Sequence, residues 1–208
     1  MNSIDRSRRR LAIAAAALAG FVDAAGFLSA DRYFVSFMSG NTTRLGVDLV
    51  SEPSRAAVPA LLIAGFVLGV LGGALLAARV GALRKFAVLA AVATLLAGAA
   101  LAEPIALRLA LLVLAMGALN NTFQKDGEVS VGLTYMTGAL VRMAQGLAAR
   151  IAGTGGKGWE GWLMLWLGLA LGAVAGAWAM LSQPHLALWL AAAWAGALAL
   201  IARRMKAS

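Results

Sequence analysis

The chain has no cysteine and a single histidine, His185, which excludes disulfides, thiolate metal sites and His-rich metal clusters. Acid is scarce too, with 9 Asp and Glu against 18 Lys and Arg. Those carboxylates are scattered, with no nucleophile–base pair and no ligand spacing, so neither an enzyme nor a cofactor or metal is expected. His185, beside Pro184, reads as an interfacial loop residue. Charge as a whole is sparse: 13% of residues are charged, 62% are hydrophobic, and the mean hydropathy is +0.83. A soluble domain of 208 residues is far more polar. No polar stretch is long enough to fold separately, so residues 1–208 read as a single membrane domain.

In place of those features stand apolar runs near the roughly 20 residues that a helix needs to cross a bilayer. The net charge of +9 would suggest nucleic acid in a soluble protein. The basic residues gather at the ends of the apolar runs, however: Arg6 and Arg8 to Arg10; Arg79, Arg84 and Lys85; Arg150 and Lys157; Arg203, Arg204 and Lys206. That placement fits positive-inside topology and anionic headgroups, and excludes a nucleic-acid partner. The Arg-rich start and the Ala-rich run behind it also resemble a secretory signal. An internal repeat claims this run as a span instead.

Val35-Ser36-Phe37-Met38-Ser39-Gly40 and Leu133-Thr134-Tyr135-Met136-Thr137-Gly138 match in order, 98 positions apart, and Arg44 and Arg142 continue the match. Downstream, Gly65, Gly69 and Gly73 match Gly168, Gly172 and Gly176 at an offset of 103. The Gly-rich stretch 153–158 holds the extra residues. A repeat of this length organises the whole chain: repeat 1 covers about residues 11–102 and repeat 2 about 105–203. Each copy divides into four segments: A at about 11–29 and 105–123, B at 39–50 and 137–150, C at 57–79 and 159–181, D at 85–102 and 185–203. Pro53 and Pro59 mark the first B–C joint, and Pro104 and Pro184 fit helix starts.

Charge decides whether the short, polar B segments cross. If only A, C and D cross, every basic cluster falls on the side of the Arg-rich N-terminus; if B crosses as well, the Arg79–Lys85 joint falls outside. The expected fold is therefore all-α and integral to the membrane, with six transmembrane helices and two re-entrant half-helices. An odd number of crossings per copy makes the two repeats inverted, an architecture whose substrate site lies at the repeat interface near the midplane. Bacterial inner-membrane placement with both termini cytoplasmic follows.

Segments Ala30–Phe37 and Glu128–Tyr135 supply the non-helical chain that dips into the membrane, which demands a protein-buried or wet setting. Ser39 and Thr137 are expected N-caps, and inversion brings the two half-helix N-termini together, where free N–H groups favour an anion. The expected substrate-binding residues are Ser39, Gly40, Asn41, Thr42, Arg44, Thr137, Gly138 and Arg142. An intramembrane Arg either faces a cavity or pairs structurally with Asp23 or Asp48. Asp23, inside segment A, is a candidate proton or ion coupling group or else a counter-ion; its counterpart is Asn121, with Asn120 and Gln124 as supporting polar groups. The glycine stripes allow close helix packing, within the chain or in a homodimer.

Gly20-Phe21-Val22-Asp23-Ala24-Ala25-Gly26-Phe27, followed by Phe34-Val35-Ser36-Phe37-Met38-Ser39-Gly40-Asn41-Thr42, resembles the signature of the YoaK-like family of multi-pass bacterial membrane proteins. The resemblance covers essentially the whole chain and implies that Asp23, Met38, Gly40, Asn41 and Thr42 are signature positions. Ala139 stands where a second Asn would complete the motif in repeat 2. The family has no assigned substrate. The expected function is a membrane transporter or channel for a small solute, an anion or a carboxylate-bearing one. The rival is a non-transporting partner or regulatory subunit.

Overall fold

The computed structural model describes residues 6–29, 32–125, 128–129, 132–134 and 136–205, with backbone alone at 124–125 and 128–129. Ala30, Asp31, residues 130–131, Tyr135 and Lys206 therefore lie outside the described residues, as does the side chain of Gln124. The described chain is α-helical apart from a two-residue antiparallel pair, β1 (Gln124–Lys125) with β2 (Glu128–Val129). Repeat 1 contains α1 (Arg6–Ser29), α2 (Met38–Ser51), α3 (Ala57–Val80) and α4 (Arg84–Leu101). Repeat 2 contains α5 (Ile105–Leu119, extended by a 3₁₀ turn at Asn120–Thr122), α6 (Met136–Ile151), α7 (Trp159–Ser182) and α8 (Pro184–Arg204).

The four-segment pattern of each copy reappears as four helices, for local reasons. Pro104 and Pro184 stand at the N-cap of α5 and the first position of α8, where a missing N–H costs nothing. Gly81, at φ +53°, ends α3 and lets the chain turn into α4. Ser39 and Thr137 are not N-caps. Both half-helices start one residue earlier, at Met38 and Met136, with Phe37 in the cap position of α2, so the two hydroxyls lie within the first turns.

Five segments are long and apolar enough to cross a membrane: Arg6–Ser29, Pro53–Leu101, Ile105–Thr122, Trp159–Ser182 and Pro184–Arg204. The 49-residue segment would extend about 73 Å as one helix, well over a hydrocarbon core of about 30 Å. The turn at Gly81–Leu83 divides it into α3 and α4, which pack on each other and on α5. Large apolar side chains remain bare on outer faces: Leu61, Val67 and Leu71 of α3, Leu171, Val174 and Trp178 of α7, and Leu190 and Ile201 of α8. In water such faces would drive aggregation; in lipid they are the solvated surface.

The core is built by exchange between the copies. Along α7, a Cβ at Gly168, Gly172 or Gly176 would strike backbone atoms of Ile13, Ala17 or Phe21 of α1. Along α3, one at Gly69 would strike the carbonyl of Leu114 and one at Gly73 the Cα of Ala118, while Gly65 meets the Val113 side chain of α5. The fits are reciprocal: Gly20 of α1 lies against Leu169 and Ala173, and Gly117 of α5 against Phe66 and Val70. Rising numbers meet rising numbers, so α1 runs parallel to α7 and α3 parallel to α5. Each A helix is thus locked to the C helix of the other repeat. The stripes are consumed inside the chain, which removes them as the expected homodimer surface.

Three helix ends gather at one end of the molecule. Lys85, at the start of α4, lies within electrostatic range of Arg8 near the start of α1 and of its neighbour Arg84. Arg203, at the end of α8, stacks 5.5 Å from the Phe86 ring centroid. α4 and α8 pack together and are therefore antiparallel.

Gly172→Ala places a Cβ 1.9 Å from the Ala17 carbonyl oxygen, whereas a Cβ at Gly72 has nothing among the described residues within 4 Å. Thermal unfolding in detergent should show Gly172→Ala destabilised by about 1–3 kcal/mol. Gly72→Ala should stay within about 0.5 kcal/mol of the unmodified protein. Equal melting of the two variants would refute the helix contact.

Candidate functional site

The loop between α1 and α2 is held by side chains from both flanking helices. The Asp23 carboxylate, in the last third of α1, accepts from the backbone N–H of Val35 at 2.9 Å and of Ser36 at 2.7 Å. Asn41, fully buried, makes a two-way clasp on Phe34: its Oδ1 accepts from the Phe34 N–H at 3.1 Å and its Nδ2 donates to the Phe34 carbonyl at 2.7 Å. Arg44 donates to the Arg32 carbonyl and lies 4.3 Å from the Tyr33 ring centroid. The Tyr33 hydroxyl reaches Asp48 Oδ2 at 3.4 Å. Irregular backbone that is buried needs such partners. Phe27, Phe34 and Phe37 form an aromatic run, with centroids 4.9 and 5.2 Å apart, and Phe37 lies over Gly40, where any Cβ would come within 2.4 Å of its ring.

The second hairpin uses different groups at related positions. Asn120 Nδ2 donates to the Met116 carbonyl and to Thr134 Oγ1, both at 3.1 Å. Asn121, the counterpart of Asp23, donates to the Val70 carbonyl at 3.0 Å and so also ties α5 to α3. Ala139, in the place of Asn41, is buried without a polar clasp. Arg142 lies 4.8 Å from the Trp162 ring centroid. Gly138 differs from Gly40: nothing among the described residues lies within 4 Å of a Cβ built there.

The two first turns meet at a cavity of about 360 Å³. It is lined by matching positions of the two repeats: Ser36 with Thr134, Met38 with Met136, Ser39 with Thr137, and Phe66 with Leu169. Phe34, Phe37, Gly138 and Asp23 are the other described residues of the lining. Phe66 and Leu169 stand near the middle of the 24-residue helices α3 and α7, about 15 Å along axes of about 36 Å. Its walls are mainly apolar, with hydroxyls from both copies and one carboxylate, the composition of a small-molecule site.

Of the expected substrate contacts, the structure brings Ser39, Thr137 and Gly138 to this cavity, together with Asp23. It gives the others different partners. Asn41 and Arg44 hold the loop 32–34, Thr42 Oγ1 donates to the Met38 carbonyl at 2.9 Å, Gly40 faces Phe37, and Arg142 faces Trp162. Among the described residues neither Arg pairs with Asp23 or Asp48; Arg44 lies on the Arg32 carbonyl and the Tyr33 ring, and Arg142 on the Trp162 ring. Sequence reasoning missed Phe66 and Leu169. The signal was available, since each directly follows the first glycine of its stripe at the same 103-residue offset. No group of three or more His, Cys, Asp or Glu that could hold a metal occurs among the described residues.

Asn41→Ala leaves the part-buried N–H and carbonyl of Phe34 without the Asn41 clasp, an expected loss of about 1–3 kcal/mol in thermal unfolding, with faster amide exchange in α2. Thr42→Ala, at an exposed position, should change stability by less than about 0.5 kcal/mol. An Asn41→Ala protein as stable as the parent would remove the clasp from the account.

Residues 11–201 match a family model described as a protein of unknown function, DUF1275. The UPF0700 transmembrane protein RA0705 of Rhizobium meliloti (strain 1021) is 42% identical over 189 residues, covering 89% of this chain and 82% of that protein. No solved structure matches the chain. The resemblance noted above holds at the level of an uncharacterised multi-pass membrane family, and the family these matches name is DUF1275. With five apolar segments long enough to cross a bilayer, and a family model matched along nearly its whole length, the chain is a membrane protein of the DUF1275 family.

Proposed function

We propose that the protein is a transporter or channel that passes a small solute through the cavity between the first turns of α2 and α6. The observation that carries this reading is the lining of that cavity by matching positions of both repeats, near the middle of α3 and α7. A packing defect has no reason to draw equivalent residues from two halves of a chain, whereas a two-fold related passage does.

The proposed architecture is six crossings by α1, α3, α4, α5, α7 and α8, with α2 and α6 as re-entrant half-helices and the repeats inverted. The gathering of Arg8, Lys85 and Arg203 at one end supports it. Were α2 a full crossing, the starts of α1 and α4 would lie on opposite faces. With α1 and α4 leaving the same face, the parallel pairs α1–α7 and α3–α5 oppose one another, as inversion requires. The same face collects the basic residues, which argues for an inner membrane with both termini in the cytoplasm. The bare apolar faces of α3, α7 and α8 would meet lipid.

The solute class follows from the first turns. The first turns of α2 and α6 line the cavity, and by helix geometry they carry the N–H groups without intrahelical partners and the positive ends of the dipoles; α2 has no side-chain cap. Such ends favour a carboxylate or another anionic group. Among the described residues nothing lies over Gly138 in the first turn of α6, while Phe37 covers Gly40. The solute carboxylate is therefore assigned to Thr137 and Gly138, with its apolar body against Phe34, Phe66 and Leu169. If the protein works as a transporter, the two repeats rock about this site, and nothing in the arrangement calls for catalysis.

Two experiments test the reading. Single cysteines at exposed Ser54, Ala82 and Ser182 should label from outside, only after permeabilisation, and from outside, respectively. External labelling at position 82 would overturn the inverted arrangement. In proteoliposomes offered small anions, carboxylates and neutral solutes, with and without a proton gradient, a solute should move. Gly138→Leu should cut its flux at least about tenfold while the protein stays folded, a blocking effect of about 1.4 kcal/mol or more. No flux of any solute from folded protein would favour the non-transporting partner subunit.

A further inference from the structure

The two halves of the cavity are not equivalent in charge, and the difference bears on what the solute carries. Repeat 1 contributes the Asp23 carboxylate; at the matching position of repeat 2 stands Asn121, whose side chain is turned to the Val70 carbonyl. Among the described lining residues Asp23 is the one with a formal charge. The two arginines able to offset it are engaged elsewhere, Arg44 on the Arg32 carbonyl and the Tyr33 ring, and Arg142 on the Trp162 ring. Among the described residues, a plain carboxylate drawn to the first turn of α6 would thus share a cavity of about 360 Å³ with a second carboxylate and no side-chain cation. Like charges so close together repel. The missing positive charge has to arrive with the solute.

We infer that the cavity takes a small zwitterion with an apolar body, such as an apolar amino acid. Its ammonium group faces Asp23, its carboxylate faces the first turn of α6 at Thr137 and Gly138, and its side chain lies against Phe66 and Leu169. The inference rests on the transport reading above and deepens it. The bound state is then neutral overall, with each end of the solute matched: the ammonium to a carboxylate, the carboxylate to helix N–H groups. The volume suits a solute of this size, since small-molecule sites begin at about 300 Å³.

The test uses the full chain purified in detergent and then in proteoliposomes. Leucine, methionine and phenylalanine are each compared with the carboxylic acid of the same carbon skeleton that lacks the amine. At least one amino acid should bind at least about tenfold more tightly than its amine-free partner, and should be the one that moves in flux. Asp23→Asn keeps an acceptor oxygen for Val35 and Ser36 and copies the residue already present at 121, so the hairpin should persist. That variant should lose the tenfold preference. Amine-free acids that bind as tightly as the amino acids would overturn the zwitterion while leaving the transport reading in place. So would amine-free acids whose flux depends on a proton gradient, since the proton would then supply the charge. If neither class binds or moves but another solute does, the zwitterion fails and transport stands. If no solute moves at all, both fail.

Discussion

Close approach of helix backbones between the two repeats is the constraint on which the rest of this structure depends. Lipid tails are as apolar as the helix faces, so burial gives these helices little reason to associate, and dispersion contact between well-fitted surfaces has to hold them. The α1–α7 and α3–α5 pairs reach that fit because glycines face the partner backbone, near enough for Cα–H contacts to carbonyls. Because each pair joins an A helix of one copy to a C helix of the other, neither repeat closes a core by itself. The cavity is a by-product of the same exchange. Phe66 and Leu169 each sit beside the first glycine of a stripe, so the contacts that lock the helices also set its walls.

Within that frame, the loops leading into α2 and α6 need a second device, because buried irregular backbone has to find hydrogen-bond partners. Repeat 1 meets the need with Asp23, Asn41 and Arg44, which bind the backbone of residues 32–36. Repeat 2 uses the Asn120–Thr134 pair and the tie from Asn121 to α3. The polar residues most conspicuous in the sequence are therefore largely occupied in holding the loops. Smaller and plainer side chains face the cavity.

The divergence between the repeats matters as much as their likeness. Asp23 stands against Asn121, and Gly40 under Phe37 stands against Gly138, over which nothing lies among the described residues. Paired sites that have diverged in this manner can orient a solute with two unlike ends, which a symmetric site could not do.

The sequence by itself determined the class, the four-helix period of each copy and nearly every helix boundary, because apolar run length, proline and glycine act locally and leave local marks. The glycine spacing also marked the helix faces that pack closely. Only the tertiary structure decided which partner each stripe meets, since the same small-residue face fits a neighbour within the chain or a second copy equally well. It also decided the partners of Asn41, Arg44 and Arg142. A polar side chain in an apolar sequence must find a partner, but the sequence does not record whether that partner is a solute or a backbone carbonyl folded back from 7 or 12 residues away. That choice depends on the loop conformation, which side chains of α1 and α2 hold.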